Sequence, residues 1–388
     1  MLGLAVLAGL WVLVAPLVFD HVYYTGPKSN HFDGQHFFNP DGDDVNPATP
    51  GTIPLDLLWS ILTGRGRPAW PDHIHVMPSK PAPHVDGARL VTTWVGHATV
   101  LVQTEGLNIL TDPNWAETVG PFGLGPHRAA EPGVNFDDLP HIDVVLISHD
   151  HYDHLDLPTL KRLDARDHPR IFAGLGVDRL LAANGISAHA MDWGQRASIT
   201  ANMDIIATRS HHWSSRWSYD ARRTLWTAFV ITTPHGNIFF AGDTGPGDMK
   251  WPFEAASYGP VRLALLPIGA FRFSPGQMAS RDHIGPRDAM TAFQLLNAEY
   301  AIPIHWGTWH LSTEGYDTPS KMLAAERDCR GIEQKRFSAV RVGEAVDVPS
   351  AYANAVNRAT VDDNPNDIII TATRVSNCPT SKVLAELP

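Results

Sequence analysis

From about residue 88 onward the chain alternates short apolar runs with polar or glycine-rich breaks, which is the spacing of strands buried on one or both faces. The runs predict strands at Leu90–Trp94, Thr99–Gln103, Asn108–Thr111, Val144–Ser148, Ile171–Ala173, Ile205–Arg209, Ala228–Thr232, Asn237–Ala241, Leu263–Pro267 and Ala301–Ile304. Helical spacing places helices at Leu157–Leu163, Val177–Asn184, Arg287–Leu296 and Lys321–Cys329. Asp156 before Leu157-Pro158 reads as an N-cap followed by a first-turn proline. Paired strands early and strand–helix alternation later fit two packed sheets covered by helices on their outer faces.

The ends of the chain read differently. Residues 1–19 are apolar or small and uncharged up to Asp20, long enough for a membrane-spanning helix, so an uncleaved N-terminal anchor is expected and the protein is placed on a membrane. A cleaved signal peptide is the rival, but a basic n-region is missing; Lys28 alone does not fix the orientation. Residues 20–87 form an extension rich in Pro, Gly, Asn and His, with a short helix expected over 53–62, and its histidines, among them His31, His73 and His75, are read as incidental. The catalytic domain is assigned to 88–348 and a tail to 349–388, with a possible edge strand at 368–372.

At 18% charged and 44% apolar residues, the composition suits an ordinary core at this length. The net charge of −11 and the scatter of Lys and Arg argue against a nucleic-acid partner, which needs a basic stripe. Cys329 and Cys378 lie far apart without C-x-x-C spacing and are read as giving neither a disulfide framework nor a thiolate site.

The chemistry is concentrated in Ser148-His149-Asp150-His151-Tyr152-Asp153-His154, directly after the apolar run 142–147. Neutral imidazole and carboxylate are ordinary zinc ligands. In extended chain His149 and His151 share a side and can share one metal, while Asp153 and His154 beyond the turn can reach a second, roughly 3.5–4 Å away in two-metal hydrolases. Four ligands do not complete two sites. Three later strands each deliver a ligand-type residue at their C-terminal end: 205–210 before His211-His212, 238–242 before Asp243, and 301–304 before His305. Asp112 before Pro113 and His97 between Gly96 and Ala98 are read as turn or supporting residues rather than ligands.

These segments, with Trp94-Val95-Gly96-His97-Ala98-Thr99, Leu110-Thr111-Asp112-Pro113, His212-Trp213-Ser214, Phe240 to Gly245, Pro267-Ile268-Gly269-Ala270 and Ile304-His305-Trp306-Gly307-Thr308, resemble the metallo-β-lactamase superfamily, in its N-acyl-phosphatidylethanolamine-hydrolysing phospholipase D branch, over about residues 88–345. The resemblance implies a four-layer αββα sandwich and two Zn2+ ions. It puts His149, His151 and His212 on the first ion, Asp153, His154 and His305 on the second, and Asp243 between them. His211 becomes a neighbour, Asp153 the group that orients the nucleophile, and His283 a contact to the substrate phosphate or an orienting residue. The implied function is phosphodiester hydrolysis of a phospholipid at a membrane. The alternatives are a lactonase on the same ligands and a non-catalytic membrane-associated binding protein.

Overall fold

The computed structural model describes residues 14–42, 67–217, 219–273 and 277–350. One sheet contains β1 (Leu90–Gly96), β2 (Thr99–Thr104), β3 (Leu107–Thr111), β4 (Val144–Ile147), β5 (Arg170–Gly174) and β6 (His189–Met191), with β13 (Ala345–Val348) antiparallel on the free edge of β1. The other runs in spatial order from β12 (Tyr300–Ile304) through β11 (Val261–Pro267), β10 (Asn237–Phe240), β9 (Ala228–Ile231) and β8 (Asp204–Thr208) to β7 (Arg196–Ser198). In both sheets antiparallel hairpins lead into parallel strands: β3, β4, β5 and β6 run parallel in the first, and β10, β11 and β12 in the second.

Alternation along each strand sorts its side chains into layers. In β4, Val144 and Leu146 enter the core between the sheets, while Val145 and Ile147 face outward onto α1 (Leu157–Asp167) and α2 (Val177–Ala183). In β10, Ile238 and Phe240 face that shared core, whereas Phe239 faces α3 (Trp251–Ala256) and α4 (Pro286–Leu295). A last helix, α5 (Thr318–Cys329), joins the same outer layer through Leu323. Both faces of the central strands are thus covered, which explains why they read as continuous apolar runs. Asp156 caps α1 as its sequence suggests, accepting from the backbone N–H of Thr159.

All ten strands read from the sequence exist, with ends shifted by a residue or two. Three more, β6, β7 and β13, and the six-residue α3 were not read. The residues 20–42 lie along the core: Phe32 and Phe37 pack with Leu225 and Trp226, and His31 pairs with Asp192 at 2.7 Å.

Two expectations are corrected. Among the described residues no helix is long and apolar enough to cross a membrane, so the anchor over 1–19 and the membrane localisation drawn from it are withdrawn. Of that stretch only residues 14–19 are described, and they are helical. Residues 1–13, the helix expected over 53–62 and the strand expected over 368–372 lie outside the described residues. The second correction concerns Cys329, at the end of α5, which is disulfide-bonded.

Candidate metal centre

The first sheet delivers Asp112 at the end of β3 and His149, His151, Asp153 and His154 just beyond β4; the second delivers His212 after β8, Asp243 after β10 and His305 after β12. All are C-terminal strand ends, where rigid elements hand their side chains to loops. Three residues here adopt left-handed backbone despite carrying a Cβ: His97 (φ 52°), Asp112 (φ 33°) and His305 (φ 62°). Such conformations persist where the surrounding structure over-determines them, and they cluster at functional sites.

The groups form two sets around one carboxylate. His149 Nε2 lies 2.8 Å from His151 Nδ1, and His212 Nε2 lies 3.4 Å from the same nitrogen. On the other side, Asp153 Oδ2 is 3.5 Å from both His154 Nε2 and His305 Nε2. Asp243 Oδ2 sits between the sets, 3.1 Å from His154, 3.0 Å from His305, 3.8 Å from His212 and 4.0 Å from His149. The seven residues named from the sequence are therefore brought together in the two expected groups. His283 joins them at the edge, its Nδ1 3.7 Å from Asp243 Oδ2. His211, read as a neighbour, pairs instead with Asp41 at 2.8 Å.

Hydrogen bonds behind the site settle which ring nitrogens face inward. Ser148 donates its hydroxyl and its backbone N–H to Asp112, so its Oγ accepts from His149 Nδ1 at 2.9 Å and leaves the lone pair of His149 on Nε2. Asp112 Oδ2 likewise accepts from His154 Nδ1 at 2.7 Å, and the carbonyl of Asp282 accepts from His212 Nδ1 at 2.9 Å. Three imidazoles thus turn Nε2 toward Asp243 from fixed ring orientations, the arrangement in which histidines bind metal once Nε2 is deprotonated. His151 Nε2, His154 Nε2, both nitrogens of His305 and both oxygens of Asp243 are buried without a hydrogen-bond partner. Orphaned polar atoms this dense cost several kcal/mol unless something polar joins them. The His/Asp groups are able to hold metal ions.

Burial disfavours charge on every imidazole here, and neighbouring charges decide the balance. Burial and mutual repulsion hold His149 and His212 well below the ordinary histidine range; burial lowers His151 and His283 to about 4. At His305 burial is outweighed by Asp243 and Asp153, and its pKa rises to about 9; His154 is raised for the same reason. Burial pushes Asp153 and Asp243 up, but the imidazoles around them win and hold both carboxyls well below their usual range. Both carboxylates are therefore ionised, the state in which they ligate cations.

Three supporting residues have different degrees of sequence signal. His97 does occupy the β1–β2 turn, yet its buried ring reaches Asp153 Oδ2 at 3.1 Å. Asp112 serves both ring and backbone behind His154, in keeping with its supporting reading. Asn39, which donates to the carbonyl of His212 at 3.0 Å and accepts from Trp226 Nε1, was missed: it is 173 residues away from His212 and sits in no motif.

A family model described as a β-lactamase superfamily domain matches residues 107–306, a span containing all seven candidate ligands together with Asp112 and His283. The chain belongs to the metallo-β-lactamase superfamily. Within the superfamily it is 34% identical over 269 residues to N-acyl-phosphatidylethanolamine-hydrolyzing phospholipase D 1 of Caenorhabditis elegans, covering 66% of this chain and 75% of that one. It is 28% identical over 307 residues to the mitochondrial enzyme of the same description from Saccharomyces cerevisiae, covering 77% and 63%. The fold is shared with an isothiocyanate hydrolase from Delia radicum gut bacteria, with a TM-score of 0.53 at 19% identity, over 68% of this chain and all of that one. This superfamily member is a metal-dependent hydrolase.

Proposed function

We propose that the chain is a two-zinc phosphodiesterase of phospholipase D type that cleaves the head-group phosphodiester of an N-acylated phosphatidylethanolamine. The observation that supports this reading is the ionised carboxylate of Asp243, buried between two sets of inward-facing imidazoles. The phospholipid part rests on the two relatives described as N-acyl-phosphatidylethanolamine-hydrolysing phospholipases D.

His149, His151 and His212 would hold one ion, Asp153, His154 and His305 the other, and Asp243 both; imidazole nitrogen and carboxylate oxygen are the donor set zinc takes. When bound, the ions supply Lewis acidity, acidifying water near neutral pH and offsetting charge on phosphate oxygens. The chain's own groups then position and exchange protons. Asp153, ionised and steadied by His97 at 3.1 Å, accepts the proton of the attacking water. His283, kept neutral by burial at the edge of the site, would donate to a phosphate oxygen. Water adds to phosphorus, the bond from phosphorus to the ethanolamine oxygen breaks, and the departing oxygen takes up a proton.

The test is a substrate panel on the zinc-loaded full chain: bis(p-nitrophenyl) phosphate, phosphatidylethanolamines with and without an N-acyl group, and lactones. Release of N-acylethanolamine, lost in Asp153→Asn, is the expected result. Turnover of lactones alone would replace the phosphodiesterase reading with that of a lactonase.

A further inference from the structure

Outside the centre described above, two histidines and a glutamate converge on the surface. The backbone of Ile74 is bridged in parallel to Ala130, with Ile74 N–H donating to Ala129 at 2.6 Å and Glu131 N–H donating to Ile74 at 3.2 Å. Side chains on either side of a residue in extended chain share one face, so fixing Ile74 sends His73 and His75 the same way. Both meet Glu131: His73 Nε2 lies 3.1 Å from its Oε1 and His75 Nδ1 lies 2.8 Å from its Oε2, while Val76 N–H fixes Oε2 at 3.0 Å. One donor atom from each residue falls within 4.8 Å of the others.

We propose that His73, His75 and Glu131 form a separate divalent-cation site, of zinc type, that pins the segment beginning at residue 67 to the loop between β3 and β4. Zinc with ligands at about 2.1 Å places tetrahedral donors roughly 3.4 Å apart, inside the 4.8 Å within which the three donor atoms here already lie. Imidazole donors select zinc, nickel or copper over magnesium and calcium. The side chains of His73 and His75 are 62% and 78% exposed, so an ion would keep solvent in its remaining position and exchange freely. Binding to the folded chain alone stabilises it by mass action.

The experiment uses the full chain without a polyhistidine tag, with Zn2+ as the only metal, titrated against a chromophoric chelator. Wild type, His73→Ala/His75→Ala and Glu131→Gln are compared for bound zinc and for melting temperature with and without added zinc. Both variants should hold one zinc equivalent fewer than wild type and lose part of its zinc-induced rise in melting temperature. Equal zinc content in all three proteins would overturn the proposal. Asp243→Asn run alongside separates the two sites: failure of the buried centre would change its count and leave the difference between wild type and surface variants intact.

Discussion

Asp112 illustrates how one residue can order a candidate metal centre from behind its imidazoles. Its Oδ2 accepts from His154 Nδ1 and from the Ser148 hydroxyl, and Ser148 in turn fixes His149, so one carboxylate orients a ring in each set. Asp112→Asn offers an amide where His154 needs an acceptor. Carboxylates behind ligating histidines are worth about 10–100-fold in metal affinity. The variant should therefore remain folded by circular dichroism but bind zinc in that range more weakly in chelator competition; wild-type affinity would contradict the role given to Asp112. Asn39 acts on the third ring through the His212 carbonyl. Its contact was not legible in the sequence because nothing local joins residues 173 positions apart, whereas the His149–His154 cluster declares itself within six residues.

At the scale of elements, the strand ends carry the design. Gly242 links β10 to Asp243 with φ 59°, and a Cβ there would lie 2.4 Å from the Ser148 Cβ. Gly242→Ala combines a left-handed penalty with a clash against the Ser148 side chain, so it should lower both the melting temperature and zinc affinity; an unchanged melting temperature would show that the β4 and β10 ends are less tightly apposed than described. Elements with two covered faces were legible from their apolar runs, as in β4 and β11. The elements missed have no such signature. In β7, Arg196-Ala197-Ser198 is largely exposed, and β13, Ala345-Val346-Asp347-Val348, alternates too briefly to stand out; each exists because a neighbouring edge supplies its hydrogen bonds. The six-residue α3 is too short for a helical period to show.

For the molecule as a whole, the buried imidazoles set an acid limit on the metal-free fold. Burial lowers His97 to about 3 and His151, His283 and His310 to about 4, from an ordinary 6.5. Between pH 6.5 and about 4 the unfolded chain binds more protons than the folded one, so stability falls as pH falls through that window. His305, raised to about 9, works in the opposite sense: its contribution is complete below pH 6.5 and is lost as pH rises through 9. Chelator-treated protein should accordingly show its highest melting temperature near pH 6.5, declining on both sides; a melting temperature that climbs steadily toward pH 4 would refute this balance. The same groups give the most direct test of the central claim. Elemental analysis of the purified full chain and of Asp243→Asn, with bis(p-nitrophenyl) phosphate turnover measured on the same samples, should find metal and activity in wild type and the loss of both in the variant. Retention of metal and turnover by Asp243→Asn would contradict the account.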